Sequence, residues 1–185
     1  MILLKTDLMV LHQGILEGRR TFGNVMKYIM MATSSNFGNM FSMAAATLFL
    51  PFLPMLPLQI LLNNLMYDVS EITLPMDNVD AEDLAGPKRW GMGFIRNFML
   101  TIGPISSLFD IATLVLMTVV FHATTPAQQA LFQSGWFVEG LLTQSLVVHM
   151  IRTRKLPFLE SRSSGLLLGC TVAVMLVGIW LPMGP

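Results

Sequence analysis

Apolar residues in this chain gather into runs of helical length, separated by short polar or proline-marked breaks. Five runs are long enough to be read as membrane-crossing helices, at about Lys27 to Leu50, Leu53 to Leu74, Phe94 to Phe121, Phe132 to Ile151 and Ser164 to Leu181. A hydrocarbon core about 30 Å thick needs about 20 mostly apolar residues per helix. Upstream of the first run, Ile2 to Leu4 reads as a short buried strand, and Asp7 as the N-cap of a helix carrying Leu8, Val10, Leu11 and Ile15. From Glu17 no proline interrupts the chain until Pro51, which permits one long helix with a basic lower half and an apolar upper half. Pro51, Pro54 and Pro57 open the second run, and Gly103-Pro104 marks an expected kink in the third.

The composition agrees with a membrane reading. Only 12% of residues are charged, 54% are hydrophobic and the mean hydropathy is +0.64, whereas soluble domains carry about 25% charged residues. The basic residues then orient the chain. Lys5, Arg19, Arg20 and Lys27 precede or open the first run; Lys88, Arg89 and Arg96 lie between the second and third; Arg152, Arg154, Lys155 and Arg162 lie between the fourth and fifth. The alternate connections, Phe49 to Pro54 and His122 to Ala130, carry none. Since positive charge stays on the cytoplasmic side, this predicts five spans with the N-terminus inside. A net charge of zero gives no sign of a nucleic-acid partner. Cys170 is the single cysteine and reads as a small buried hydrophobe. No cleavable leader is apparent.

Against that background the polar residues within the runs stand out, because ionisable groups at membrane depth are costly. Asn64 and Asp68 share a helix face, with Glu71 nearly in line, while Asn63 and Tyr67 form a neighbouring stripe. Ser35, Asn36 and Asn39 cluster in the first run. If the first two runs pack together, amide oxygens and one carboxylate converge. No Lys or Arg lies deep enough to neutralise Asp68, so a cation is the missing partner. An oxygen-rich set without thiolate or clustered imidazole suits a hard ion such as Mg²⁺, which keeps waters and uses one or two carboxylates. Asn36 or Asn63 alone reads more simply as an interhelical hydrogen-bonding residue, and Glu71 as a solvated or interhelical group. Asp110 and Glu139 are weaker candidates, as supporting, pathway or protonated groups bonded to a neighbour such as Ser106 or Gln144. His149 reads as interfacial and the acidic loop Pro75 to Asp83 as solvated.

Taken together, GILEGRRTFGNVMKYI, SSNFGN, FLPMLPLQILLNNLMYD and PMDNVD resemble the C-terminal membrane half of P-type cation ATPases, and specifically the bacterial magnesium-importing branch. The resemblance spans essentially the whole chain. It implies that residues 1–18 are the edge of a cytoplasmic phosphorylation domain, that residues 19–185 form a transmembrane domain, and that the five runs are helices five to nine of ten. It also implies an all-α fold and a multi-pass location in the inner, or plasma, membrane. The ion site would take Asn39 from helix five, with Asn36 one turn before it, and Asn64 and Asp68 from helix six. Calcium pumps differ by carrying Glu where Asn39 stands and Thr where Tyr67 stands, so the implied site has lower charge and suits Mg²⁺ better than two Ca²⁺ ions.

The Asp-Lys-Thr-Gly-Thr, Thr-Gly-Glu and Gly-Asp-Gly-Val-Asn-Asp motifs and the Pro-Glu-Gly-Leu-Pro turn of that family do not occur here. This chain alone is therefore expected not to hydrolyse ATP; it has no catalytic or nucleotide-binding residue of its own, and ATP would act through domains outside it. The expected partners are membrane lipid and the remainder of a pump, namely helices one to four and the cytoplasmic domains. The competing readings are a pump segment for another cation such as Ca²⁺, and a stand-alone helical membrane protein that associates with a pump without transporting.

Overall fold

The computed structural model describes residues 8–87, 89, 91–153 and 155–183. The strand expected over Ile2 to Leu4, the cap at Asp7, and Lys5, Lys88 and Arg154 lie outside these residues.

Six α-helices make up the described chain: α1 (Leu8–Ala46), α2 (Pro57–Glu71), a short α3 (Ala81–Leu84), α4 (Met92–Val115), α5 (Gln129–Ile151) and α6 (Gly165–Trp180). Among the described residues there is no strand, only an isolated bridge between Pro157 and Ser161. Each predicted run overlaps one of the longer helices. The proline-free stretch after Glu17 is helical as expected, and α1 begins earlier still, at Leu8, and crosses positions 18 and 19 without a break. Pro57 starts α2 as its first helical residue, where its missing N–H costs nothing, and Gln59 Oε1 accepts the N–H of Leu56 at 2.8 Å. Ser164 caps α6, its hydroxyl accepting from Leu167 N–H at 3.2 Å.

Among the described residues, two helices are long and apolar enough to cross a membrane by themselves: α4, extended by a π-helical turn to Val120, and α6, extended by a 3₁₀ turn to Met183. With fifteen residues, α2 is shorter than the predicted run from Leu53 to Leu74, because the prolines hold residues 51–56 out of the helix and a 3₁₀ turn at Leu74–Met76 follows it.

The most extensive helix pair is α1 with α4. Its crossing point is made by two glycines. A Cβ on Gly38 would lie 2.6 Å from Ser106 Oγ and 3.1 Å from the carbonyl of Gly103, and a Cβ on Gly103 would lie 2.7 Å from Phe37 Cδ1. The absence of side chains there lets the backbones approach, and Ser107 Oγ fastens them by donating to the carbonyls of Gly38 and Gly103, both at 3.1 Å. α4 runs through Gly103-Pro104 as continuous helix.

Buried apolar side chains form two clusters at opposite ends of the bundle. One contains Ala46, Met55, Met117, Phe132, Trp136, Leu141 and Val174; the other contains Met31, Tyr67, Leu74, Val148 and Leu167. In the first, Phe132 stacks on Trp136 and meets Phe52 edge-on, with both ring centroids at 5.6 Å. Between these clusters lies a polar layer, which is the candidate site.

Beyond the second cluster, the loop after α2 is tied down by ion pairs. The Asp77 carboxylate accepts from Lys27 Nζ at 3.0 Å, Arg152 Nε at 3.1 Å and the Ser164 backbone N–H at 3.0 Å. Its side chain is 0% exposed, and those of Lys27 and Arg152 are 5% and 1% exposed. Asp80 accepts from Thr153 and Ser161 hydroxyls at 2.6 and 2.8 Å. Burial opposes its ionisation, but those hydrogen bonds and the charges of Lys155 and Arg152 outweigh it and hold its carboxyl below the usual value. The loop is therefore not a merely solvated segment: Asp77 and Asp80 join α1 and α2 to the connection between α5 and α6.

Candidate cation site within the helix bundle

The polar layer is supplied by four helices. α1 contributes Asn39 and Ser42, α2 contributes Asn63 and Asn64, α4 contributes Asp110, and α5 contributes Glu139 and Gln144. A cavity of about 20 Å³ is bordered by Asn39, Asn63, Asn64, Asp110, Trp136 and Gly140, among others. That is room for about one water-sized occupant. Asn39 Oδ1 accepts from Gln144 Nε2 at 2.6 Å, which fixes the amide of Asn39 relative to α5.

Of the four residues singled out from the sequence, Asn39 and Asn64 come together at this cavity, both half-buried. Asp68 and Asn36 do not reach it; both are exposed. The buried stripe of α2 is Asn63, Tyr67, Ser70 and Glu71, one residue out of step with the stripe of Asn64 and Asp68. A step of one residue turns the side chain by about 100°, so Asp68 points away from the face that packs on α5 and α6.

Several polar residues behave differently from their sequence reading. Asn63 is 4% exposed, borders the cavity, and its Oδ1 has no hydrogen-bond partner among the described residues. Asp110 is buried and accepts from the Ser42 hydroxyl, not from Ser106, which donates instead to the Gly103 carbonyl. The Glu139 carboxyl lies beside that of Asp110 without an aligned hydrogen bond, and Gln144 serves Asn39, not Glu139. Glu71 is buried beside the Tyr67 hydroxyl, which fits the interhelical and not the solvated reading, and His149, in the last turn of α5, is buried with its ring against Phe158 at 5.2 Å. Cys170 is half-buried with Sγ 3.4 Å from the Val69 carbonyl. Asn63 had a weak signal in sequence, as the immediate neighbour of Asn64; the meeting of Asp110 and Glu139 had none, because nothing in either run indicates that α4 and α5 face each other there.

The polar side chains at the cavity are three amides and one carboxyl, set among Met43, Met55, Ile60 and Trp136. Neutral amide oxygens supply ligands without adding charge, and carboxylates supply the charge a hard cation needs. The structure is thus an all-helical bundle with amide and carboxyl side chains bordering a small internal cavity and, among the described residues, two helices of membrane-crossing length. The chain belongs to the cation-transporting ATPases: residues 52–185 match the family described as "Cation transporting ATPase, C-terminus". Over 184 residues it is 59% identical to "Magnesium-transporting ATPase, P-type 1" of Salmonella typhimurium and equally to that of Escherichia coli, covering 100% of this chain and 20% of each relative. A more distant relative is the "Calcium-transporting ATPase" of Bacillus subtilis, 28% identical over 189 residues, covering 98% of this chain and 21% of the relative. The chain thus spans about a fifth of the length of the relatives it matches.

Proposed function

We propose that this chain forms the C-terminal membrane region of a magnesium-transporting P-type ATPase and supplies part of the site at which Mg²⁺ is carried across the inner membrane. The observation that carries this reading is the convergence of Asn39 and Asn64, from two different helices, on one small cavity between two apolar layers. The identity to magnesium-transporting ATPases supports Mg²⁺ as the ion. In this reading α1, α2, α4, α5 and α6 are five spans, with residues 19–185 as the transmembrane domain and residues 1–18 as the edge of the phosphorylation domain. Asp68 and Asn36, exposed on the adjoining face, complete the ion site where helices one to four of the pump pack. ATP binding and aspartyl phosphorylation belong to the remaining domains, and α1 carries their motion to Asn39.

The cytoplasmic placement of the N-terminus is supported by the basic residues. Lys27 and Arg152 meet at Asp77, Lys155 pairs with Glu82 at 3.1 Å, and Arg19 donates to the Leu84 carbonyl at 2.8 Å, so basic residues from separate connections gather at one end of the bundle.

The test is Asp68→Asn in the intact pump, scored as growth of a transport-deficient host at limiting Mg²⁺. Loss of growth with normal membrane levels is expected. Growth equal to that of the unaltered pump would remove Asp68 from the site. Stimulation of ATP hydrolysis by Ca²⁺ in preference to Mg²⁺ would overturn the choice of ion.

A further inference from the structure

The connection between α5 and α6 carries apolar side chains on the outside of the bundle. Leu156, Phe158 and Leu159 are 60%, 49% and 80% exposed. A closed turn holds them there: Phe158 N–H donates to the Ser161 carbonyl at 3.1 Å, Glu160 N–H to the Leu156 carbonyl at 3.0 Å, and Leu156 N–H to Glu160 Oε2 at 3.2 Å. Phe158 has a φ of 67°, a left-handed conformation that costs a bulky residue free energy. At the base of the turn, the Ser161 hydroxyl accepts from Arg152 Nη1 and Nη2, both at 3.2 Å, and donates to Asp80 at 2.8 Å. The apolar trio is therefore displayed on a fixed frame. Its surroundings are basic: positions 152–164 carry Arg152, Arg154, Lys155 and Arg162 against Glu160 alone. Asp77 takes up Arg152 and Glu82 pairs with Lys155, which leaves the segment net positive, with Arg162 exposed.

Position decides the partner. Arg162 lies just before Ser164, the cap of α6, and α6 runs on from Gly165 as a helix of membrane-crossing length. The turn therefore sits level with the membrane surface at that end of the bundle. Apolar side chains rimmed by basic ones complement such a surface, where acyl chains begin beneath anionic headgroups. We propose that Leu156, Phe158 and Leu159 anchor the turn in the adjacent leaflet, with Arg162 at the headgroups of anionic phospholipids. Ser161 ties the same turn to Asp80 and Arg152, and Arg152 and Lys27 share Asp77. The anchor thereby fixes the ion-pair cluster, and with it α1 at Lys27, relative to the membrane plane. The inference rests on the reading of the bundle as a membrane domain.

Its test places a nitroxide on Leu159→Cys in the intact pump, reconstituted in nanodiscs of phosphatidylcholine with or without phosphatidylglycerol, with the signal from labelled unsubstituted pump subtracted. Electron paramagnetic resonance then compares collisions with oxygen, which concentrates in lipid, and with a nickel chelate, which stays in water. With phosphatidylglycerol present, oxygen collisions are expected to dominate, and in phosphatidylcholine alone the label is expected to shift toward nickel. Arg162→Gln is expected to lower the docked-to-free ratio of the label about fivefold in phosphatidylglycerol, the effect of one basic residue near an anionic surface. Nickel-dominated collisions in both lipids would overturn the anchor. Shielding from both reagents would overturn it too, because a protein surface of the pump would then cover the turn. Equal oxygen access in the two lipids would overturn the choice of anionic headgroups. Leu176→Cys, at a position of α6 that is 63% exposed, keeps the failures apart: nickel-dominated collisions there would remove the membrane reading itself, whereas nickel-dominated collisions at position 159 alone would remove only the anchor.

Discussion

Neutralising Asp77 by Asp77→Asn removes the anion shared by Lys27 and Arg152, whose side chains are 5% and 1% exposed. The asparagine keeps a carbonyl oxygen for the Ser164 N–H, so shape and one hydrogen bond survive. What is lost is the only carboxylate within salt-bridge distance of either cation among the described residues. Removing one partner of a buried ion pair costs about 3–5 kcal/mol, because the other charge stays desolvated; here two cations are stranded, so the upper half of that range is expected. At 1.36 kcal/mol per factor of ten, this is about three orders of magnitude in the unfolding equilibrium. The assay is unfolding of the purified protein in mixed detergent micelles with increasing denaturing detergent, followed by circular dichroism. Lys27→Gln should cost less, since Asp77 keeps Arg152. A loss below about 1 kcal/mol for Asp77→Asn, the scale of an exposed ion pair, would refute the reasoning and mean that water reaches the cluster.

Three further outcomes are expected. Gly38→Ala should cost about 1–3 kcal/mol by overpacking against the Gly103 carbonyl at 3.1 Å, whereas Gly169→Ala, with nothing within 4 Å of the new methyl group, should stabilise by up to about 1 kcal/mol; the same detergent titration separates them. Phe132→Ala should cost about 3–5 kcal/mol and weaken the near-ultraviolet dichroism of Trp136, on which the ring stacks. Because the carboxyl of folded Asp80 is held below its ordinary value, its contribution is complete above the unfolded value of about 3.9 and is lost as pH falls through the lowered one. Amide exchange across residues 155–161 should therefore speed up on that acid side, and Asp80→Asn should show the faster exchange already at neutral pH.

The helices were legible because their signals are local. Runs of apolar residues, the prolines at 51, 54 and 57, and the serine cap at Ser164 each act within a few positions. The candidate site was only half legible. Helical spacing puts Asn64 and Asp68 on one stripe, but it does not say which stripe of α2 turns inward. That is decided by Gly140 of α5, whose small size admits the Asn63 amide; a Cβ there would lie 3.3 Å from Asn63 Nδ2. The Asp77 cluster was illegible for a different reason: Lys27 and Arg152 had already explained themselves as markers of orientation, and their partner lies 50 and 75 residues away.

Those separations also impose an order on assembly. Lys27 has already been synthesised when Asp77 emerges, but Arg152 follows 75 residues later and Ser164 follows 87 residues later. At about 5–20 residues per second, the carboxylate waits roughly 4–17 s for its last donor. Until Arg152 arrives, α1 and the loop after α2 are joined at Asp77 by one cation alone, and α4 forms while that junction is incomplete. Asp77 thus works as a latch that closes only when the start of α6 arrives, so that completion of the bundle and locking of the end where Asp77 lies are the same event.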